Sequence, residues 1–214
     1  MSRQIILWRH GRTAWNVAGR VQGQTDTSLD DVGREQAAAA ARRLASLAPH
    51  RILCSDLERA RHTAEALAEL VGVPAEPDPR LREMDFGARE GLTWQEAWDR
   101  YPDGMRAWME GDETQIPDSE THAQAGERFA AGVREALEVL PADATMVVVA
   151  HGAVIRTGAC TFLGFPEEHW RTFGALSNCS WAVLTESGPP HQRWWRLTEW
   201  NAGSLPEPVM SDDS

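Results

Sequence analysis

In LWRHGRTAWN an apolar run ends in Arg9 and His10 directly before Gly11, and in VVVAHGAVIR a second apolar run ends in His151 directly before Gly152. If the two runs are neighbouring parallel strands, both imidazoles reach one crevice, because such sheets bind ligands beyond the carboxyl ends of their strands. Arg59 follows the strand-like RILC and would reach the same edge. The glycines would let backbone N–H groups approach an anion closely. A helix opening near Ala153 would point its positive end there. Two guanidiniums, two imidazoles and a helix N-terminus suit a phosphoryl group. Unit charges at ~4 Å attract by about 4 kcal/mol at an effective dielectric of ~20, so several cations together hold a dianion. The same cations repel one another, and Arg9 beside His10 disfavours the imidazolium form. A neutral imidazole is a nucleophile.

Elements must exist to place these groups. QIILW reads as a buried strand and RILCS as another. LDDVGREQAAAAARRLASL has the alanine-rich, amphipathic look of a helix from about Asp31 to Leu47. SDLERARHTAEALAEL reads as a helix with capping-box spacing at Ser55 and Glu58, stopped by Gly72 and Pro74. LREMDFGAREGL reads as a glycine-punctuated loop. Residues Thr93 to Gly111 look helical but broken at Pro102, and carry Trp94, Trp98 and Trp108. DETQIPDSET is a polar loop, and a long helix is expected from about Thr121 to Leu140. TMVVVA reads as a strand buried on both faces, followed by the helix AVIRTGACTFLG. NCSWAVLTE and RWWRLTEW read as late strands joined by a turn at Gly188, Pro189 and Pro190. Alternating strands and helices predict an α/β fold: a mostly parallel central sheet covered on both faces, in three α/β/α layers. One domain is expected over residues 1–203, with a helical lid excursion over about 87–121. The Pro-rich, acidic residues 204–214 read as a disordered tail.

The chain has 214 residues and a net charge of −11, which argues against nucleic acid and anionic membranes as partners. No apolar run is long enough to span a bilayer, and the N-terminus lacks a signal-peptide apolar region. Cys54, Cys160 and Cys179 lack metal-type spacing and read as buried, reduced thiols of a cytoplasmic protein. Every basic side chain other than histidine is arginine, since the chain contains no lysine, which removes Schiff-base chemistry and the P-loop lysine. Oligomeric state is left open, a homodimer included.

LWRHGRTAWN, SDLERARHTA, LREMDFGAREG and VVVAHGAVIR, in that order, resemble the four signature segments of the histidine phosphatase superfamily, the phosphoglycerate mutase-like fold. The resemblance covers nearly the whole chain. It implies that His10 attacks phosphorus and forms a phosphohistidine, with Arg9, Arg59 and His151 clamping the equatorial oxygens. It implies that Asn16 donates to the phosphate and that Glu83 protonates the leaving oxygen and then activates water, a role worth ~10²–10⁴ in rate. Gln22 falls where relatives line the substrate mouth, and Gly152 is counted with the substrate-binding groups. Neither metal nor other cofactor is implied, because arginine supplies the charge that Mg²⁺ supplies elsewhere.

Each assignment has a plainer rival. His10 or His151 alone would read as a core histidine; matched strand ends favour function. Arg59 could be a solvated helix arginine, like Arg61 and Arg42. Asp85 and Glu90 compete with Glu83, and Glu90 is expected to tie the loop together. The tryptophans are expected to pack the lid, and His50, His62, His169 and His191 to be structural or exposed. NCS at Asn178 is a formal glycosylation sequon.

The family holds phosphatases and mutases. The short, acidic segment between Glu83 and His151 favours a phosphatase acting on a small phosphate monoester; the alternatives are a phosphoglycerate mutase and a non-catalytic phosphate-binding module. PDSET stands where many family phosphatases have a glycine-rich turn, which puts the loop geometry in question. The C-terminal strands resemble those of actinobacterial phosphatases acting on phosphorylated glycerate glucosides, so glucosyl-3-phosphoglycerate is one candidate substrate among small phosphorylated sugars and acids.

Overall fold

The computed structural model describes residues 2–189 and 191–203. Its sheet has six strands: β1 (Gln4–Arg9), β2 (Arg51–Cys54), β3 (Ala75–Pro77), β4 (Thr145–Ala150), β5 (Trp181–Ser187) and β6 (Trp194–Ala202). They lie in the order β3-β2-β4-β1-β5-β6. The first four are mutually parallel, β5 runs antiparallel to β1, and β6 runs antiparallel to β5. Every residue of β4 is buried, as expected of a strand enclosed on both faces.

Alternation along the central strands feeds two cores. Ile5, Leu7, Met146 and Val148 face one side, among residues of α6 (His122–Glu138) and α7 (Gly152–Leu163). Ile6, Trp8, Val147 and Val149 face the other, among residues of α2 (Asp31–Leu44) and α3 (Glu58–Val71). Burying each such side chain contributes about 1.5–3 kcal/mol. A one-residue slip of β1 would exchange the two cores and carry His10 away from His151, so packing sets the register of the site.

The differences from the expected elements have local causes. The second helix ends at Leu44 and tightens into a 3-10 turn at Ala45–Leu47. The capping box at Ser55 does not form: α3 begins at Glu58, and Leu57 caps it without a side-chain bond. Ser55 Oγ instead accepts from the Leu57 amide, and the Glu58 amide donates to Asp26 Oδ1 at 2.8 Å. Gly72 does end the helix, in a left-handed conformation. Strand β3 had no alternating signal; it is three residues at the sheet edge, where Pro77 is tolerated. Pro190 and residues 204–214 lie outside the described residues, and with them part of the expected late turn and the expected tail.

The excursion is helical and broken where Pro102 stands, into α4 (Trp94–Arg100) and α5 (Pro102–Glu110). It has a small core of Ala97, Met105 and Ile116, flanked by Leu92, Trp94, Trp98 and Tyr101. Trp94 meets Trp98 and Trp108 edge to face, at 6.4 and 6.0 Å, so the tryptophans pack as expected. A bridge between Phe86 and Ser119 closes its base. There Asp118 takes a left-handed backbone, φ 59°, of the kind glycine adopts without strain. PDSET therefore keeps a glycine-like turn without the glycine.

Candidate active site

Strand register assembles the site. Arg9 stands beside Ala150 in the β1–β4 ladder, so His10 and His151 leave adjacent parallel strands at the same level. The His10 amide donates to Ala150 O at 3.0 Å, and the two imidazole centroids are 5.0 Å apart. Strand β2 lies on the other side of β4 and leads into α3, whose second residue is the fully buried Arg59. Its guanidinium donates to Thr25 O (2.9 Å) and Gly23 O (2.7 Å), fastening the loop that carries Gln22. Arg9 Nη1 donates to Leu176 O at 2.5 Å.

His10 is held in one tautomer. Its Nδ1 is 2.7 Å from Gly11 O, and a carbonyl only accepts, so Nδ1 carries the proton and Nε2 keeps its lone pair. Burial, then Arg59 and then Arg9 hold the His10 pKa well below 6.5, against the Gly11 hydrogen bond. His151 is held well below 6.5 too, by burial first, then Arg59, His10, Arg9 and Arg128.

Two amides are aimed by their oxygens. Asn16 sits in α1 (Ala14–Ala18), which opens with a Thr13–Asn16 capping box. Its Oδ1 accepts from the Thr13 amide (3.1 Å) and from Asn178 Nδ2 (3.3 Å). Gln22 Oε1 lies 2.9 Å from Thr13 Oγ1 and 2.7 Å from Thr27 Oγ1. With both oxygens engaged, Asn16 Nδ2 and Gln22 Nε2 are left as buried nitrogens without a partner, as are Arg9 Nε and both ring nitrogens of His151. Buried polar atoms are rarely left unpaired in a folded protein, and these belong to segments that meet beyond β1 and β4. They fit an oxyanion.

Glu83 corrects one expectation. The amino terminus of α7 is taken by its carboxylate: Oε1 accepts from Val154 N at 2.8 Å and Oε2 from Ala153 N at 3.2 Å. Met84 N also donates to Oε1, at 2.9 Å. The helix end therefore seats the expected acid beside His151, and these two amides are taken by the Glu83 carboxylate rather than offered to a phosphate. The glycines need a similar correction. Gly11 N donates to Thr63 Oγ1 at 3.1 Å, and a Cβ at Gly11 would stand 2.4 Å from Gly33 O. Gly11 thus serves close packing of the loop on α2. A Cβ at Gly152 would lie 3.4 Å from Arg9 Cζ, so Gly152 gives room to that guanidinium.

Glu90 ties loops together as expected, accepting from the amides of Gln24 (2.8 Å) and Thr25 (2.9 Å) and from Thr25 Oγ1 (2.6 Å). Other residues were not marked by the sequence reading. Thr13 and Thr27 orient the two amides; the capping box at TAWN escapes the usual pattern because Asn16 stands where Glu or Gln is expected. Arg89 is buried, its guanidinium 5.1 Å from the Phe86 ring and 5.0 Å from the Trp108 ring. His122 joins the excursion to the sheet layer: its Nδ1 pairs with the Glu113 carboxylate, and its Nε2 is 3.3 Å from Arg156 Nη2. No local pattern pointed to either.

A mostly parallel α/β sheet with twin histidines at adjoining strand ends and arginines around them has the architecture of the phosphoglycerate mutase-like fold. The model of the histidine phosphatase superfamily (branch 1) matches residues 5–203, and the chain belongs to that family. It is 35% identical to a glucosyl-3-phosphoglycerate phosphatase of Mycolicibacterium vanbaalenii, over 94% of this chain and 96% of that one. A mycobacterial glucosyl-3-phosphoglycerate phosphatase solved with VO3 superposes with a TM-score of 0.86 at 36% identity, covering 94% of this chain and all of that one. A "Probable phosphoglycerate mutase" of Yersinia enterocolitica is 33% identical over 92% of this chain and 89% of its own length. The protein is a phosphatase enzyme, and no helix among the described residues is long and apolar enough to cross a membrane.

Proposed function

We propose that the protein is a metal-independent phosphomonoesterase working through a phosphohistidine at His10. The observation that carries this reading is the His10 tautomer: Nδ1–H on Gly11 O leaves Nε2 as a free nucleophile within the reach of His151. In the first step His10 Nε2 bonds to phosphorus, the ester P–O bond breaks, and protonated Glu83 gives its proton to the departing oxygen. In the second step water attacks phosphorus, Glu83 takes a proton from it, and the P–N bond breaks, returning neutral His10. The Gly11 carbonyl steadies the positive charge that the phosphorylated ring carries. Arg9, Arg59, His151, Asn16 and Gln22 bear on the phosphoryl oxygens, with Gly152 making room for Arg9, and the guanidiniums do the electrostatic work of a metal ion.

The candidate substrate is a phosphorylated glycerate glucoside, supported by the relatives that carry that activity in their names. A phosphoglycerate mutase is the second reading, supported by the 33% identity to the Yersinia protein. A phosphate-release screen over phosphorylated metabolites separates them. The phosphatase releases phosphate from glucosyl-3-phosphoglycerate or another small monoester, in the presence of chelator, and His10→Ala does not. Interconversion of 3- and 2-phosphoglycerate without net phosphate release would overturn the reading.

A further inference from the structure

We propose that Asn178 is a positioning residue of the phosphate site, setting Asn16 so that its Nδ2 faces the phosphoryl oxygens. This rests on the reading of Asn16 as a phosphate donor. The half-buried Asn178 side chain turns inward: Nδ2 donates to His10 O (3.2 Å) and to Asn16 Oδ1 (3.3 Å). Its amide nitrogen is thereby committed to the protein, and the NCS tripeptide works as a brace for the site.

The loop around it is built for this. Cys179 adopts a left-handed backbone, φ 57°, and its amide donates to the same His10 carbonyl at 3.2 Å. Leu176 O receives Arg9 Nη1. Asn201 Oδ1 anchors the loop from β6, accepting from Ser177 N (2.7 Å) and Ser180 Oγ (2.6 Å). Four of the five residues 176–180, namely Leu176, Asn178, Cys179 and Ser180, thus bond to Arg9, His10 or Asn16. At Asn16 the logic is one of matched donors. Both the Thr13 amide and Asn178 Nδ2 point at Oδ1, so rotating the Asn16 amide by half a turn would set its NH2 against two donors. Asn178 removes that wrong rotamer.

An isosteric Asn178→Asp change replaces the donor with an acceptor. It would attract the Asn16 NH2 and turn Oδ1 toward the anion, as well as adding a negative charge. A merely structural Asn178 would cost the same whether or not Asn16 is present, whereas a positioning one costs little once Asn16 is gone. The test measures p-nitrophenyl phosphate hydrolysis and inhibition by inorganic vanadate for wild type, Asn16→Ala, Asn178→Ala, Asn178→Asp and the double Ala variant. Expected is a roughly tenfold weaker vanadate inhibition in Asn178→Ala, the scale of one hydrogen bond. A larger loss is expected in Asn178→Asp, and less than about twofold further loss on adding Asn178→Ala to Asn16→Ala. Equal losses in the two backgrounds, or Asn178→Asp closer to wild type than Asn178→Ala, would overturn the proposal alone. An Asn16→Ala protein inhibited like wild type would overturn the reading of the phosphate site and the proposal with it.

Discussion

Glu83 caps the helix that begins beside His151, its carboxylate oxygens 2.8 and 3.2 Å from the amides of Val154 and Ala153. The group expected to shuttle protons is therefore fixed by the same element that follows the second histidine. Replacing Glu83 with Gln keeps the shape and removes the acid. Hydrolysis of alkyl phosphates should fall by about 10²–10⁴, and that of p-nitrophenyl phosphate far less, because its leaving group needs little protonation. Steady-state rates on the two substrates check this; equal losses would remove Glu83 from the acid role.

The histidine pair predicts an acid-sensitive fold. Both His10 and His151 have pKa values in the native state well below 6.5, while the unfolded chain titrates near that value. As pH falls below 6.5 the unfolded chain binds more protons than the native one, so stability is fully present above 6.5 and declines toward the native pKa values. Urea unfolding between pH 7.5 and 5 should show that decline, and NMR should find both rings neutral at pH 6.5. Arg59→Met should move the His10 midpoint upward, since Arg59 is the larger of the two arginine contributions.

Gln22 is oriented by Thr13 and Thr27, which take its Oε1 and leave the buried Nε2 without a partner. Gln22→Glu keeps the volume but introduces a carboxylate beside the phosphate site. Repulsion at this buried position should raise KM and weaken vanadate inhibition by about tenfold or more, a loss of ~1.4 kcal/mol or more. An unchanged KM would place Gln22 outside the site.

The exposed Asp118 pays a conformational penalty at φ 59°. Asp118→Gly should relieve it and stabilise the protein by roughly 1 kcal/mol, seen as a rise of a few degrees in Tm. Unchanged or lower Tm would show that the turn is not strained by the side chain.

Much of this architecture was legible because its signals are local and strong. The apolar runs of β1 and β4, the break at Pro102 and the helix stop at Gly72 each rest on one property of a few residues. Histidine, arginine and glycine at matched strand ends sufficed to place His10, His151 and Arg59 in one crevice. The use of the α7 amino terminus was not legible, because an open helix end attracts a carboxylate as readily as a phosphate. Nor was the role of Gly11, which depends on Gly33 arriving from another element. Asn178 was noticed for its sequon alone, since its contacts join residues remote in sequence. The cap at Ser55 failed because Asp26, from a separate loop, competes for the Glu58 amide.

The central claim is that His10 Nε2 takes the phosphoryl group. Alkaline quenching of the enzyme during turnover, followed by peptide mass analysis, tests it most directly. The account predicts a phosphoryl group on the peptide containing His10, lost in His10→Ala together with activity. A phosphoryl group on His151 instead, or full turnover by the His10→Ala protein, would contradict it.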